Sequence, residues 1–231
     1  MNKNIIFDTG PIISLTTNNL LWILKPLKQI YKGNFYLTKP SKYELVDHPI
    51  ATKRFKFEAI QVMEIIKNGT LEVIDSVEIH QKALQLLDSA NHAYVSSKKN
   101  LVIVQHAEME CLSAASTNES DTLVIDERTT RLLIEGPHFL QKILSDRLNI
   151  KVDIDHSALS NFKKLLNRDI KIIRSSELVV LAFELGILDN YLADIPNARK
   201  VLLESILWGV KLHGCSISRL EIEQIIKMEK V

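Results

Sequence analysis

The stretch IIFDTGPIISL, residues 5–15, decides how the rest of the chain is read. Ile5, Ile6 and Phe7 form a short apolar run that stops on Asp8, and apolar residues resume at Pro11 with helical spacing. A β-branched and aromatic run bounded by Gly and Pro predicts a buried strand. Proline is tolerated near a helix start, where backbone N–H groups lack intrahelical partners in any case. The stretch therefore reads strand, turn, helix, with a carboxylate at the carboxyl end of the strand. In parallel α/β sheets, ligands bind beyond those ends.

Working outward, the same grammar repeats. Apolar strand-like segments are expected at 4–8, 34–38, 71–75, 121–127 and 170–176. Helical spacing is expected at 11–31, from Pro40 onward, at 51–69, through 77–100 as one or two helices, at 106–116 and after Arg128, with three closing helices over 177–231. Seven glycines and six prolines are few for 231 residues, which favours long helices over a β-sandwich. The alternation predicts an α/β fold, a three-layer α/β/α sandwich around a central parallel sheet. Residues 1–231 read as one domain, with an insertion around 137–169.

Bulk composition excludes several classes. Lys plus Arg is 29 against 28 for Asp plus Glu, so a net charge of +1 argues against a globally basic nucleic-acid binder but not against a local basic patch. Candidate phosphate contacts are Lys39, Lys42, Lys53, Arg54, Lys56, Lys98, Lys99, Arg128 and Arg131, each of which equally suits a solvated helix face. Cys111 and Cys215 sit in apolar surroundings and read as free buried thiols of a reducing compartment. No CxxC, HExxH, GxGxxG or Walker loop is present. The N-terminus does not read as a signal peptide, and the apolar stretch near 177–192 is too short and too charged to span a bilayer. A soluble, cytoplasmic protein is expected.

Asp-Thr-Gly is also the turn of aspartic proteases. That chemistry needs two such turns whose carboxylates share a proton. One copy, in a helix-rich chain, does not suit it.

The acids carry the remaining chemistry. Asp8 ends the first strand, Glu44 lies just past Pro40, Glu108 and Glu110 lie in HAEMECLSAAS, and Asp121, Asp126 and Glu127 flank the strand around TLVI. Gathered at one sheet edge, such carboxylates repel one another, which raises their pKa values or calls for a cation. All-oxygen ligation suits Mg²⁺ and Mn²⁺. The bland readings are a helix cap for Asp126, a solvated helix acid for Glu44 and a turn residue for Asp121. Glu108 and Glu110, two apart on a helix, point different ways, so one at most faces the site. His106 stands four residues before Glu110, and pairing between them makes Glu110 structural.

In order and approximate spacing, IIFDTGPIISL, LTKPSKYELVDHP, QHAEMECLSAAS and DTLVIDERTTRLL resemble the four acidic segments of the PIN-domain nucleases. The late SSELVVLAFELGIL and ISRLEIEQII resemble the closing helices of an archaeal–bacterial, toxin-like branch. The resemblance implies an acidic pocket of Asp8, Glu44, Glu108 and Asp126. Asp8, Glu108 and Asp126 would hold Mg²⁺ or Mn²⁺, and Glu44 would orient water. It implies an endoribonuclease hydrolysing RNA phosphodiesters, and it brings in an antitoxin protein and a second copy of the chain as partners, with no membrane. Some PIN-like proteins have little activity, so the alternative is an RNA- or protein-binding scaffold with a weakened acidic site. Two departures stand out: a long 137–169 segment, and Glu rather than the commoner Asp as third acid.

Overall fold

A computed structural model describes residues 4–117, 120 and 122–229. The fold is α/β. Among the described residues, eight strands run β1 (Asn4–Phe7), β2 (Asn34–Thr38), β3 (Glu72–Ile74), β4 (Tyr94–Ser96), β5 (Lys99–Asn100), β6 (Thr122–Val124), β7 (Asp153–Ile154) and β8 (Lys171–Ile173). Five of them form a parallel sheet in the order β3-β2-β1-β6-β8, and the other three form a small antiparallel sheet, β5-β4-β7.

Side chains alternate across the parallel sheet, as strand geometry requires. Ile5, Phe7, Phe35, Leu37 and Val124 face one apolar core, which is roofed by helices from the N-terminal third and by the closing helices. Ile6, Leu123 and Ile125 face a second core, built with the helices Val77–His92, His106–Thr117, Pro137–Leu148 and His156–Leu166. Helices thus cover both faces, the arrangement a buried parallel sheet needs. Ile6 and Phe7 are both fully buried, each contributing roughly 1.5–3 kcal/mol of transfer free energy. The Phe7 and Phe35 rings lie 5.1 Å apart across the β1–β2 pair.

The strand order places the reversal of the sheet at β1. The chain leaves β1 for β2 on one side and later returns with β6 on the other. Such switch points open a crevice at the carboxyl ends of the two central strands. Asp8 follows β1 there, and its N–H donates to Val124 O at 2.9 Å, continuing the ladder into β6.

Several boundaries differ from the sequence reading. The helix expected over 11–31 is broken. Its first part, Thr9–Thr17, ends with Asn19 in the left-handed region (φ 56°), while the Leu20 and Asn19 N–H groups donate to Leu15 O and Thr16 O. That pair of bonds is the Schellman closure, with Asn in the position glycine usually takes. The 51–69 helix begins only at Lys56, after Phe55 at φ 62°. Residues 93–100 are not helical but form the β4–β5 hairpin, turned by Ser97 and Lys98 at positive φ (49° and 64°). Residues 137–169 pack as two helices and β7 against the second core. Asp121 lies outside the described residues. Both cysteines are free and buried, and among the described residues no helix is long and apolar enough to cross a membrane.

Candidate functional site

Asp8 is the N-cap of the helix Thr9–Thr17, its extended backbone (φ −78°, ψ 167°) turning strand into helix. Its Oδ2 accepts from the Gly10 N–H at 3.4 Å, a long bond, and Cys111 Sγ stands 3.7 Å from Oδ1. Only 7% of Asp8 is exposed. Burial pushes its carboxyl up to about 6 against the Thr9 and Gly10 amides, and the charge of Glu44 pushes the same way. The DTG triplet here opens a helix at a parallel-sheet edge, unlike the paired turns of a protease.

Gly10 sits between Asp8 and Asp126 at this edge. A Cβ there would lie 3.5 Å from Asp126 Cβ and 3.6 Å from Asp8 Oδ2, so the two aspartates flank one glycine. Asp126 itself is held firmly. The Ser175 N–H donates to Oδ1 at 2.7 Å, and the hydroxyls of Ser175 and Ser14 both donate to Oδ2 at 2.8 Å. A carboxylate offers about four acceptor positions, so these bonds leave about one open. Asp126 thereby pins the first helix and the Ser175–Glu184 helix to the end of β6.

Glu44 reaches the same place from a π-helical turn, Tyr43–Asp47. Single π turns are rare and recur at functional sites. Its Oε2 accepts from Thr9 Oγ1 at 3.0 Å.

Glu108 stands in the first turn of the helix His106–Thr117, where its Oε2 accepts from the Gln105 N–H at 2.7 Å. Burial pushes this carboxyl up to about 7, opposed by that amide and reinforced by the charges of Glu127, Asp8 and Glu44. Glu110 points elsewhere, to His80 Nδ1 at 2.8 Å and towards His106 Nε2 at 3.8 Å.

The structure brings Asp8, Glu44 and Glu108, from three separate segments, within reach of one another's charge, sets Asp126 across Gly10 from Asp8 with its carboxylate bound to Ser14 and Ser175, and leaves Glu110 apart. It adds Glu127, which sequence reasoning noted beside Asp126 without giving it a part. Glu127 caps the helix Arg128–Glu135 through the Thr130 N–H at 2.6 Å and also repels Glu108. The serines that hold Asp126 carried no signal beyond small polar residues near helix starts. Of the basic residues near the second acidic segment, Lys39 is bound to Asp75 and Lys42 to Asp47, both at 2.8 Å.

Exposed and part-exposed glutamates beside the buried Asp8 form a donor set of oxygens, the chemistry that hard divalent cations take. Among the described residues, the charges that act on Asp8 and Glu108 are those of other carboxylates. No family model and no curated protein matches the chain.

Proposed function

We propose that the chain is a PIN-like endoribonuclease whose acidic pocket binds Mg²⁺ or Mn²⁺. One observation carries the reading: acids distant in sequence, Asp8, Glu44 and Glu108, act on one another at the switch point of a parallel sheet, with Asp126 across Gly10 from Asp8. The resemblance of the four acidic segments supports the PIN-like assignment, and the oxygen-only donor set fits the ion. Asp8 and Glu108 would hold it, with Asp126 completing the wall through its remaining acceptor position. When bound, the ion supplies Lewis acidity and neutralises charge on a phosphodiester. The chain's own residues do the rest. Thr9 fixes Glu44, and Ser14 and Ser175 keep Asp126 from swinging away.

A scaffold that binds RNA without cleaving it is the second reading, favoured by the three donors that already occupy Asp126. Cleavage of a fluorescent RNA by the full chain separates the two. The nuclease reading expects turnover with Mn²⁺, none with EDTA, and none from Asp8→Asn. RNA binding without turnover supports the scaffold, and cleavage that survives both EDTA and Asp8→Asn removes the metal mechanism. Recognition of an antitoxin, and pairing of two copies, belong to this same proposal and rest on the resemblance alone.

A further inference from the structure

On the far side of Glu44, two packed helices bring together side chains that the acidic pocket does not use. His106 and Glu110 are one turn apart on the helix His106–Thr117, and His80 comes from the helix Val77–His92. Ser113 Oγ donates to Ile79 O at 2.7 Å and ties the two helices beside the cluster. The two imidazole rings lie 5.2 Å apart. One ligand atom from each of His80, His106 and Glu110 falls within 4.8 Å of the others.

We infer that His80, His106 and Glu110 form a binding site for a borderline transition-metal ion of the Zn²⁺ class. Glu110 is 5% exposed, and a buried carboxylate needs a compensating partner. His80 Nδ1 meets it at 2.8 Å, but His106 Nε2 stops at 3.8 Å. That nitrogen is shut off from solvent and finds no hydrogen-bond partner among the described residues. A purely hydrogen-bonded network would close this gap. An ion bonded at roughly 2.0–2.2 Å to each atom fills it after small side-chain rotations. Two imidazoles and one carboxylate are the donor set that leaves a fourth zinc position open, and imidazole nitrogen selects against Mg²⁺. The open side faces a groove of about 600 Å³ that His80, His106 and Glu110 share with Tyr43, Glu44 and Lys39. This second site differs in chemistry from the acidic pocket and stands whether or not the chain cleaves RNA.

The test uses the full chain stripped with EDTA. Zn²⁺ is titrated calorimetrically, and Co²⁺ is followed by its visible absorption. One ion per chain that survives Asp8→Asn is expected at this site, apart from any ion taken by the carboxylate pocket, with Co²⁺ absorption of low-coordinate intensity. His80→Ala and Glu110→Gln each weaken binding by more than about tenfold, while Asp8→Asn leaves it intact. His80 is half exposed, so its replacement threatens folding least, and circular dichroism confirms the fold of each variant. Absence of Zn²⁺ binding at 100 µM, on the order of a weak site, overturns the inference. So does binding that ignores both variants, or binding that is lost only with Asp8→Asn.

Discussion

Two carboxylate clusters lie near the carboxyl edge of the same sheet, and their charges have opposite fates. Beyond β8, Arg174 is 8% exposed and reaches Glu177 at 2.5 Å, Glu221 at 2.9 Å and Ser216 O at 2.9 Å. Burial of Glu221 works against ionisation, yet the Ser218 amide and hydroxyl and the Arg174 guanidinium bring its carboxyl down to about 2. Beyond β1, burial dominates, and Asp8 and Glu108 rise to about 6 and about 7. Acids at the β8 end have a guanidinium built into the fold. Among the described residues, those at the β1 end are met by backbone amides, the Thr9 hydroxyl, the Cys111 thiol and one another. The first cluster reads as a clasp that fastens the Arg219–Met228 helix. The second is the cluster that the proposed function fills with a divalent cation.

The sharpest way to break this contrast is to remove one acid from the unpaired cluster. Asp8→Asn is expected to lower RNA cleavage by on the order of 10² or more, the scale of losing one electrostatic stabiliser at a reacting phosphate. The same change relieves a buried charge, so in EDTA at neutral pH it raises stability by about 1–3 kcal/mol. Urea denaturation beside the cleavage assay checks both. Loss of activity with loss of stability would make Asp8 a structural residue.

How much of this was legible in the sequence follows from where the information is local. The strand Asn34–Thr38 and the helix Arg128–Glu135 fall where the pattern of apolar residues predicts them. The β4–β5 hairpin was missed because Ser97 and Lys98 take positive φ without the Asn or Gly that advertises such a turn. Asp8 and Asp126 were legible as strand ends, whereas Glu44 by itself reads as a solvated helix acid and Glu108 is no different in pattern from Glu110, so both were picked out by the resemblance alone. Glu127 was passed over because the acid beside it already filled the expected place. The His80–His106–Glu110 cluster was invisible for a different reason: two of its members lie on one helix at a spacing that equally reads as a simple pair, and the third depends on helix packing.

Titration sharpens the comparison further. Asp8 and Glu108 have raised values in the folded state, so the folded chain holds more protons than the unfolded one between about pH 4 and 7. Their contribution to stability is fully present below the unfolded values and is lost as pH rises through the folded ones. Glu221 behaves oppositely: its contribution is present above about pH 4.5 and is lost as pH falls towards 2. In EDTA, the urea midpoint should fall between pH 5 and 8, and Asp8→Asn should flatten that slope. An unchanged slope in the variant would mean that other groups set it.

Removing the cation from the paired cluster comes next in size. Arg174→Ala strands Glu177, Glu221 and Ser216 O. It is expected to cost about 2 kcal/mol, below the value for a fully buried pair because both glutamates are part-exposed. RNA cleavage should survive where the variant is folded. The smallest effect is expected for Thr9→Val, which keeps the shape of the side chain and deletes the hydrogen bond to Glu44. It should cost about 1 kcal/mol or less in stability, read as a thermal midpoint, and only a severalfold loss in cleavage.

The central claim is that Asp8 and Glu108 await a divalent ion. Calorimetric titration of the EDTA-stripped chain with Mg²⁺ at neutral pH tests it most directly, because Mg²⁺ disregards the histidine cluster. One ion should bind the native chain, and that binding should disappear in both Asp8→Asn and Glu108→Gln. Equal binding by all three proteins, or none by the native chain at millimolar Mg²⁺, would contradict it.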